Sequence, residues 1–201
     1  DGSDVLDLRL HLREKIVWME TGLMAAKIMK DRGSESCHLN NLGLAYSNMG
    51  ETLKAIGYLE RALNIFRRIG NRRSEGSALG NIGLAYSNLG KTRRAIEYYE
   101  QALAISKEIG NMRSEGIVLT NLGLAYSDFG ETLKAIEYYE QALAISKEIG
   151  DRRGEGAVLG NLGLAYAKLG ETRKAIEYHE HALDILIEIG DRRGEGAVLG
   201  N

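Results

Sequence analysis

Proline is absent from this chain of 201 residues, and cysteine occurs once, as Cys37. Without proline, helices must be stopped by glycine and started by polar caps. A lone cysteine excludes an intrachain disulfide and suits a reducing compartment, so a cytoplasmic location is expected. A large net charge is also lacking: 26 Lys and Arg balance 28 Asp and Glu, for a formal net charge of −2. That balance offers no basic surface for nucleic acid. No apolar run approaches the roughly 20 residues of a membrane span, and no secretory signal opens the chain. Neither nucleic acid nor membrane is therefore an expected partner.

Glycine, in contrast, occurs 25 times, and its spacing is regular. The stretch Asn161-Leu162-Gly163-Leu164-Ala165-Tyr166 recurs at Asn121, at Asn81 (with Ile82) and at Asn41, always 40 residues apart. A fixed period of this size marks a stacked repeat architecture, in which each unit packs on its neighbours. Three segments are expected: a degenerate leading segment over 1–30, four tandem 40-residue units over 31–190, and the truncated first helix of a further repeat over 191–201. Residues 1–10 show no clear period, and 13–30 reads as the second helix of an eroded first repeat.

Within the unit 151–190, Gly150-Asp151 reads as a helix stop followed by an N-cap. Leu159, Leu162, Tyr166 and Leu169 fall on one face of a helix A over 152–169. Gly170 ends it, and helix B follows over 172–189. Helix B has two apolar stripes: Ala175, Tyr178, Ala182, Ile185 and Ile189, and Ile176, His179, Leu183 and Leu186. A helix apolar on two sides is sandwiched between its own helix A and the next one, so one repeat alone cannot fold. Glycine inside a helix costs about 1 kcal/mol against alanine. Its recurrence at Gly43, Gly83, Gly123 and Gly163 therefore predicts a close approach to helix B.

The in-phase series Leu159, Leu162-Gly163, Tyr166, Ala175, Tyr178 or His179, Ala182 resembles the tetratricopeptide repeat. The likeness covers 31–201 and, with the leading helix, nearly the whole chain. It implies an all-α, right-handed solenoid of antiparallel helix pairs. The chain departs from the usual 34-residue period and from the proline after helix B. Its 40-residue unit is similar to repeats of kinesin light chains, of spindle-orientation adaptors, and of the sensor arrays of bacterial NB-ARC (STAND) signalling ATPases. Asp7-Leu8-Arg9-Leu10 leading into Arg13–Glu20, and the Asp-Arg-Arg-Gly-Glu-Gly linkers at 151–156 and 191–196, point to the last group. No phosphate-binding loop is present, so the chain would be the ligand-sensing part alone.

In the resembled family helix A lines a concave groove. Asn41, Asn81, Asn121 and Asn161 are expected to point into it. Asparagine is a mediocre helix former, so four in register call for an explanation. An amide both donates and accepts, which matches the exposed main chain of an extended peptide. In the resembled adaptors this position binds the partner's main chain. The alternative is that each Asn ties neighbouring repeats together. Leu44, Leu84, Leu124 and Leu164 would form an apolar contact strip or lie partly buried against helix B. Asn48, Asn88, Asp128 and Lys168 share one position and differ, as do Ser77, Ile117 and Ala157, so selectivity or drift could act there. Arg72-Arg73, Arg113, Arg152-Arg153 and Arg192-Arg193 form a ridge, read as solvated and paired with Glu75, Glu115, Glu155 and Glu195, or alternatively as a clamp for an acidic ligand.

Chemistry finds little support. His179 and His181 are two apart and cannot chelate as an i, i+4 pair would. Cys37-His38 has no third ligand. No catalytic residue, metal site or cofactor is expected, and the chain is not expected to be an enzyme. The expected function is recognition of a protein or extended peptide. The alternatives are an architectural array stacking end to end through its exposed terminal repeat, and an RNA-reading α-repeat, which the balanced charge and the identical groove residues disfavour.

Overall fold

The computed structural model describes residues 2–191 with 194, 196, 198 and 200, and side chains from Arg13 onward. Among the described residues every regular element is a helix: α1 (Gly2–Ile28), α2 (Arg32–Asn48), α3 (Thr52–Arg68), α4 (Arg72–Asn88), α5 (Thr92–Glu108), α6 (Met112–Asp128), α7 (Thr132–Glu148), α8 (Arg152–Lys168) and α9 (Thr172–Glu188). The fold is an all-α solenoid of paired helices. Even-numbered helices are the A type and odd-numbered ones the B type.

Glycine sets the stops, as the missing proline requires. Gly50, Gly70 and each junction glycine through Gly190 hold φ between +64° and +88°. Lys30 stands where the later B-to-A junctions have Gly70, Gly110 and Gly150, and it too is left-handed, at φ 56°. The A helices start on side-chain caps: Asp31, Asn71, Asn111 and Asp151 accept from the backbone N–H three residues on. Glu51, Glu131 and Glu171, at the starts of α3, α7 and α9, make no such bond.

The chain forms two compact units, Asp1–Ile105 and Ser106–Asn201. In the first, α2 packs on α1, α3 and α4, and α3 packs on α4. Leu39, Leu42, Leu59, Leu79 and Ile82 are fully buried there. In the second, α6 packs on α7 and α8, α7 on α8, and α8 on α9, around Leu119, Leu122, Tyr139 and Leu162. The repeated glycine does lie at a close approach. A Cβ on Gly43 would come 2.6 Å from Leu59, one on Gly83 would come 2.7 Å from the Tyr99 ring, and one on Gly163 would come 2.6 Å from His179. Each A–B pair is also pinned by parallel tyrosines, such as Tyr46–Tyr58 and Tyr126–Tyr138, with ring centroids 5.3 Å apart.

Three expectations need correction. The leading segment is not irregular: α1 begins at Gly2 and runs unbroken through positions 10 and 11, where later repeats place their A–B turn. The spacing of Leu6, Leu8, Leu10 and Leu12 is two, which hides a helix, but extending an existing helix costs far less than starting one. Secondly, the stretch called a linker at 151–156 is the N-cap Asp151 and the first turns of α8, in keeping with the helix A expected from 152; of 191–196 only Asp191, Gly194 and Gly196 are described. Thirdly, the ridge is not wholly solvated. Glu75 and Glu155 are buried, Glu75 held by Arg67 of α3 at 3.0 Å and by Arg72 at 2.6 Å. Arg192, Arg193 and Glu195 lie outside the described residues.

Candidate functional site: the A-helix face

Successive A helices touch each other within each unit, α2 with α4 and α6 with α8. The side chains beside those contacts form one face per unit. On it Leu44, Leu84, Leu124 and Leu164 are between 37% and 45% exposed, so they are not core residues. Asn41 is exposed, and Asn81, Asn121 and Asn161 are half-buried. Among the described residues none of these four amides makes a hydrogen bond. A stack tie would show such bonds. A half-buried amide without a partner in the protein is open to water and stays ready to donate and accept.

At the far end of each A helix, Asn48, Asn88, Asp128 and Lys168 are exposed. Lys168 Nζ donates to Ser127 Oγ at 2.7 Å, bridging α8 to α6. The variable position also faces this side: Ile117 is 57% exposed, against a small alanine at 157.

In the second unit, clefts lie beside the asparagines. One, of about 200 Å³, opens between α6, α7 and α8, with Gly116, Ile117, Thr120 and Asn121 on one wall and Ile145 and Val158 opposite. The other, of about 220 Å³, repeats it 40 residues on, with Gly156, Ala157, Gly160 and Asn161. The space is kept open by glycine: a Cβ on Gly116 would sit 3.3 Å from Ile145 Cγ2, and one on Gly156 at 3.3 Å from Leu186. Thr120 Oγ1 is satisfied by the Gly116 carbonyl at 2.9 Å and presents its methyl. Arg153 closes its end of the second cleft with an ion pair to Asp191 at 2.9 Å. Arg113, at the same place in the first cleft, has no ion-pair partner among the described residues.

The arrangement suits binding, with polar amides at the lip of apolar notches. The asparagines, the leucines and Ile117/Ala157 put forward from the sequence stand on this face. Sequence reasoning missed Gly116, Gly156, Thr120 and Gly160. The recurring Glu-Gly at 75–76, 115–116 and 155–156 was the available signal, since a second in-helix glycine per repeat also asks for a packing reason.

A profile of the family described as "Tetratricopeptide repeat" matches residues 34–108 and 114–188. None of the curated proteins matches the chain. Solved structures do. The apo form of RapI superposes with a TM-score of 0.85 at 20% identity, over 94% of this chain and 53% of its own. A STAND signal-transduction ATPase with a tetratricopeptide repeat sensor from Pyrococcus horikoshii gives 0.79 at 26% identity, over 88% of this chain and 28% of its own. A Rap protein complexed with Competence and Sporulation Factor gives 0.81 at 17%, over 94% and 53%. The chain thus spans about half the length of the Rap proteins it resembles.

Proposed function

The chain belongs to the tetratricopeptide repeat family, and from that premise we propose that it is a binding scaffold whose A-helix faces hold an extended segment of a protein or peptide. The observation that carries this is the set of unbonded amides at Asn41, Asn81, Asn121 and Asn161, set beside exposed leucines and, in the second unit, beside apolar notches. The amides would take the partner's main chain. The leucines, Ile117 and Ala157 would take its side chains, with Asn48, Asn88, Asp128 and Lys168 reading the flank. A Rap protein crystallised with Competence and Sporulation Factor has this fold, and so does the sensor of a STAND ATPase. Both support a ligand-sensing role for this chain within a larger signalling protein, working without catalysis of its own in the cytoplasm.

The test is a random-peptide display library selected on the wild-type chain. Selected peptides are then measured by calorimetry on Asn121→Ala with Asn161→Ala. Each net hydrogen bond contributes about 0.5–1.5 kcal/mol, so the double variant should bind roughly tenfold or more weakly. Its melting temperature should not fall, because no protein bond is removed and alanine is the better helix former. Unchanged affinity, or failure to select any peptide, sinks the reading.

End-to-end stacking of copies is the second reading. It is favoured by Ile176 of α9, which is 52% exposed where Ile56, Ile96 and Ile136 are buried. A mass that grows without limit with concentration, and falls on Ile176→Glu, would support it.

A further inference from the structure

The outer face of α1 carries an apolar strip that the regular repeats do not have. Val17 is 61% exposed, Met24 66% and Ile28 76%. Forty residues on, the place of Val17 is taken by Gly57, Glu97, Glu137 and Glu177. That of Met24 is taken by Asn64, Ala104, Ala144 and Asp184, and that of Ile28 by Arg68, Glu108, Glu148 and Glu188. All of these counterparts are exposed, including those of α3 and α7, which have helices packed on both sides. A preceding A helix in the usual place would therefore leave Val17, Met24 and Ile28 uncovered. Exposed large apolar residues gathered on one strip mark a contact surface.

The spacing says what kind of element fits. Val17, Thr21, Met24 and Ile28 are separated by four, three and four residues, the seam spacing of two helices packed side by side. Trp18 and Ala25 border the seam on one side, Glu20 and Lys27 on the other, and all four are exposed. The charges say which helix fits. Two copies of α1 packed antiparallel on a twofold axis place Val17 opposite Ile28 and Thr21 opposite Met24. The same register sets Glu20 of each copy against Lys27 of the other, twice over by symmetry, and Trp18 against the small Ala25. A parallel pair would set Glu20 against Ala25 and leave both charges unmatched. Glu20 is held on this flank by Tyr46, whose hydroxyl donates to its carboxylate at 3.3 Å. Lys27 has no ion-pair partner among the described residues. An isologous contact of this kind closes at two copies and does not propagate.

We infer that α1 is a self-association surface, through which two copies of this chain pair antiparallel along Val17, Thr21, Met24 and Ile28, with Trp18 over Ala25 and Glu20 against Lys27.

The test uses the full chain. Sedimentation equilibrium over a concentration series should give a monomer–dimer equilibrium. Trp18 is the only tryptophan, and it is 79% exposed in the single chain, so its emission should shift to the blue as dimer forms. Val17→Glu installs the residue that α5, α7 and α9 already carry at that place, and Met24→Asp the one that α9 carries. Together they should abolish dimer and blue shift while helical content and melting temperature are kept. Glu20→Lys alone should weaken the dimer roughly tenfold or more, and adding Lys27→Glu should restore it. A monomer at every concentration with unshifted Trp18 emission overturns the inference. So does a dimer indifferent to Val17→Glu with Met24→Asp, or a charge swap that fails to restore pairing. None of these variants touches the A-helix asparagines, so peptide binding is read independently.

Discussion

Side chains that replace one another 40 residues apart form natural comparisons. Lys30 does the work of a junction glycine in a left-handed conformation that costs an L-residue roughly 1–2 kcal/mol. Lys30→Gly should therefore raise the urea midpoint, with the larger unfolded-state entropy of glycine offsetting part of the gain; a lower midpoint would show that Lys30 contributes a contact outweighing its strain. The in-helix glycines differ in what opposes them. Gly123 faces the buried ring of Tyr139, whereas Gly163 faces the half-buried His179. Gly123→Ala should cost about 1–3 kcal/mol by overpacking, and Gly163→Ala less, because His179 can swing toward solvent; equal losses in denaturation midpoint would refute the contrast. Burial also pushes the Tyr99 hydroxyl up to about 12 and that of Tyr139 further in the same direction. Both acids stay neutral in the folded chain after they ionise in the unfolded one, at about 10. Their contribution is complete below pH 10 and is lost as pH rises from there through 12. Melting temperature should fall over that window, and more shallowly in Tyr99→Phe with Tyr139→Phe. One residue pair was legible only afterwards: His38 stands where Ala78 stands one repeat later, and Gly22 where Ala62 stands, so a large residue has moved in as its neighbour lost a side chain.

At the level of elements, A and B helices are started differently. Asn111 bonds the Ser114 N–H at 3.2 Å, while Glu131 caps nothing. Asn111→Ala should cost about 1 kcal/mol, and Glu131→Ser should return a comparable amount by supplying the missing acceptor; chemical denaturation of the two variants checks both signs. The helix pairs could be read from the sequence because the 40-residue phase, the stop glycines and the apolar stripes agree with one another. The start of α1 could not, because Leu6 to Leu12 alternate where a helix would space them by three and four. Nor could the notches at Gly116 and Gly156. They exist because a side chain is missing on one helix opposite Ile145 or Leu186 on another, and that pairing is set by how three helices lean together. The fate of Glu75 was hidden for the same reason: its partner Arg67 comes from the preceding B helix, eight residues back.

For the whole molecule, every close packing within a unit joins helices that are adjacent or next but one along the chain. Damage should therefore stay local. In Gly123→Leu, hydrogen exchange should quicken in α6 and α7 while α2 and α3 keep their protection, as expected for nearest-neighbour stability; uniform loss of protection would mean that the chain unfolds as one. Such neighbourly packing also matters during synthesis. At about 5–20 residues per second a repeat takes about 2–8 s to leave the ribosome, whereas helices and short loops form within microseconds. Each repeat can thus settle on the one before it while its near-copy is still unmade. That order is valuable here, because α5 and α7 differ only at Arg93/Leu133 and Arg94/Lys134 and could otherwise take each other's berth. A chain diluted out of denaturant has all its near-copies present at once. With no proline to isomerise, any phase of tens of seconds in its refolding would record helices leaving the wrong neighbour.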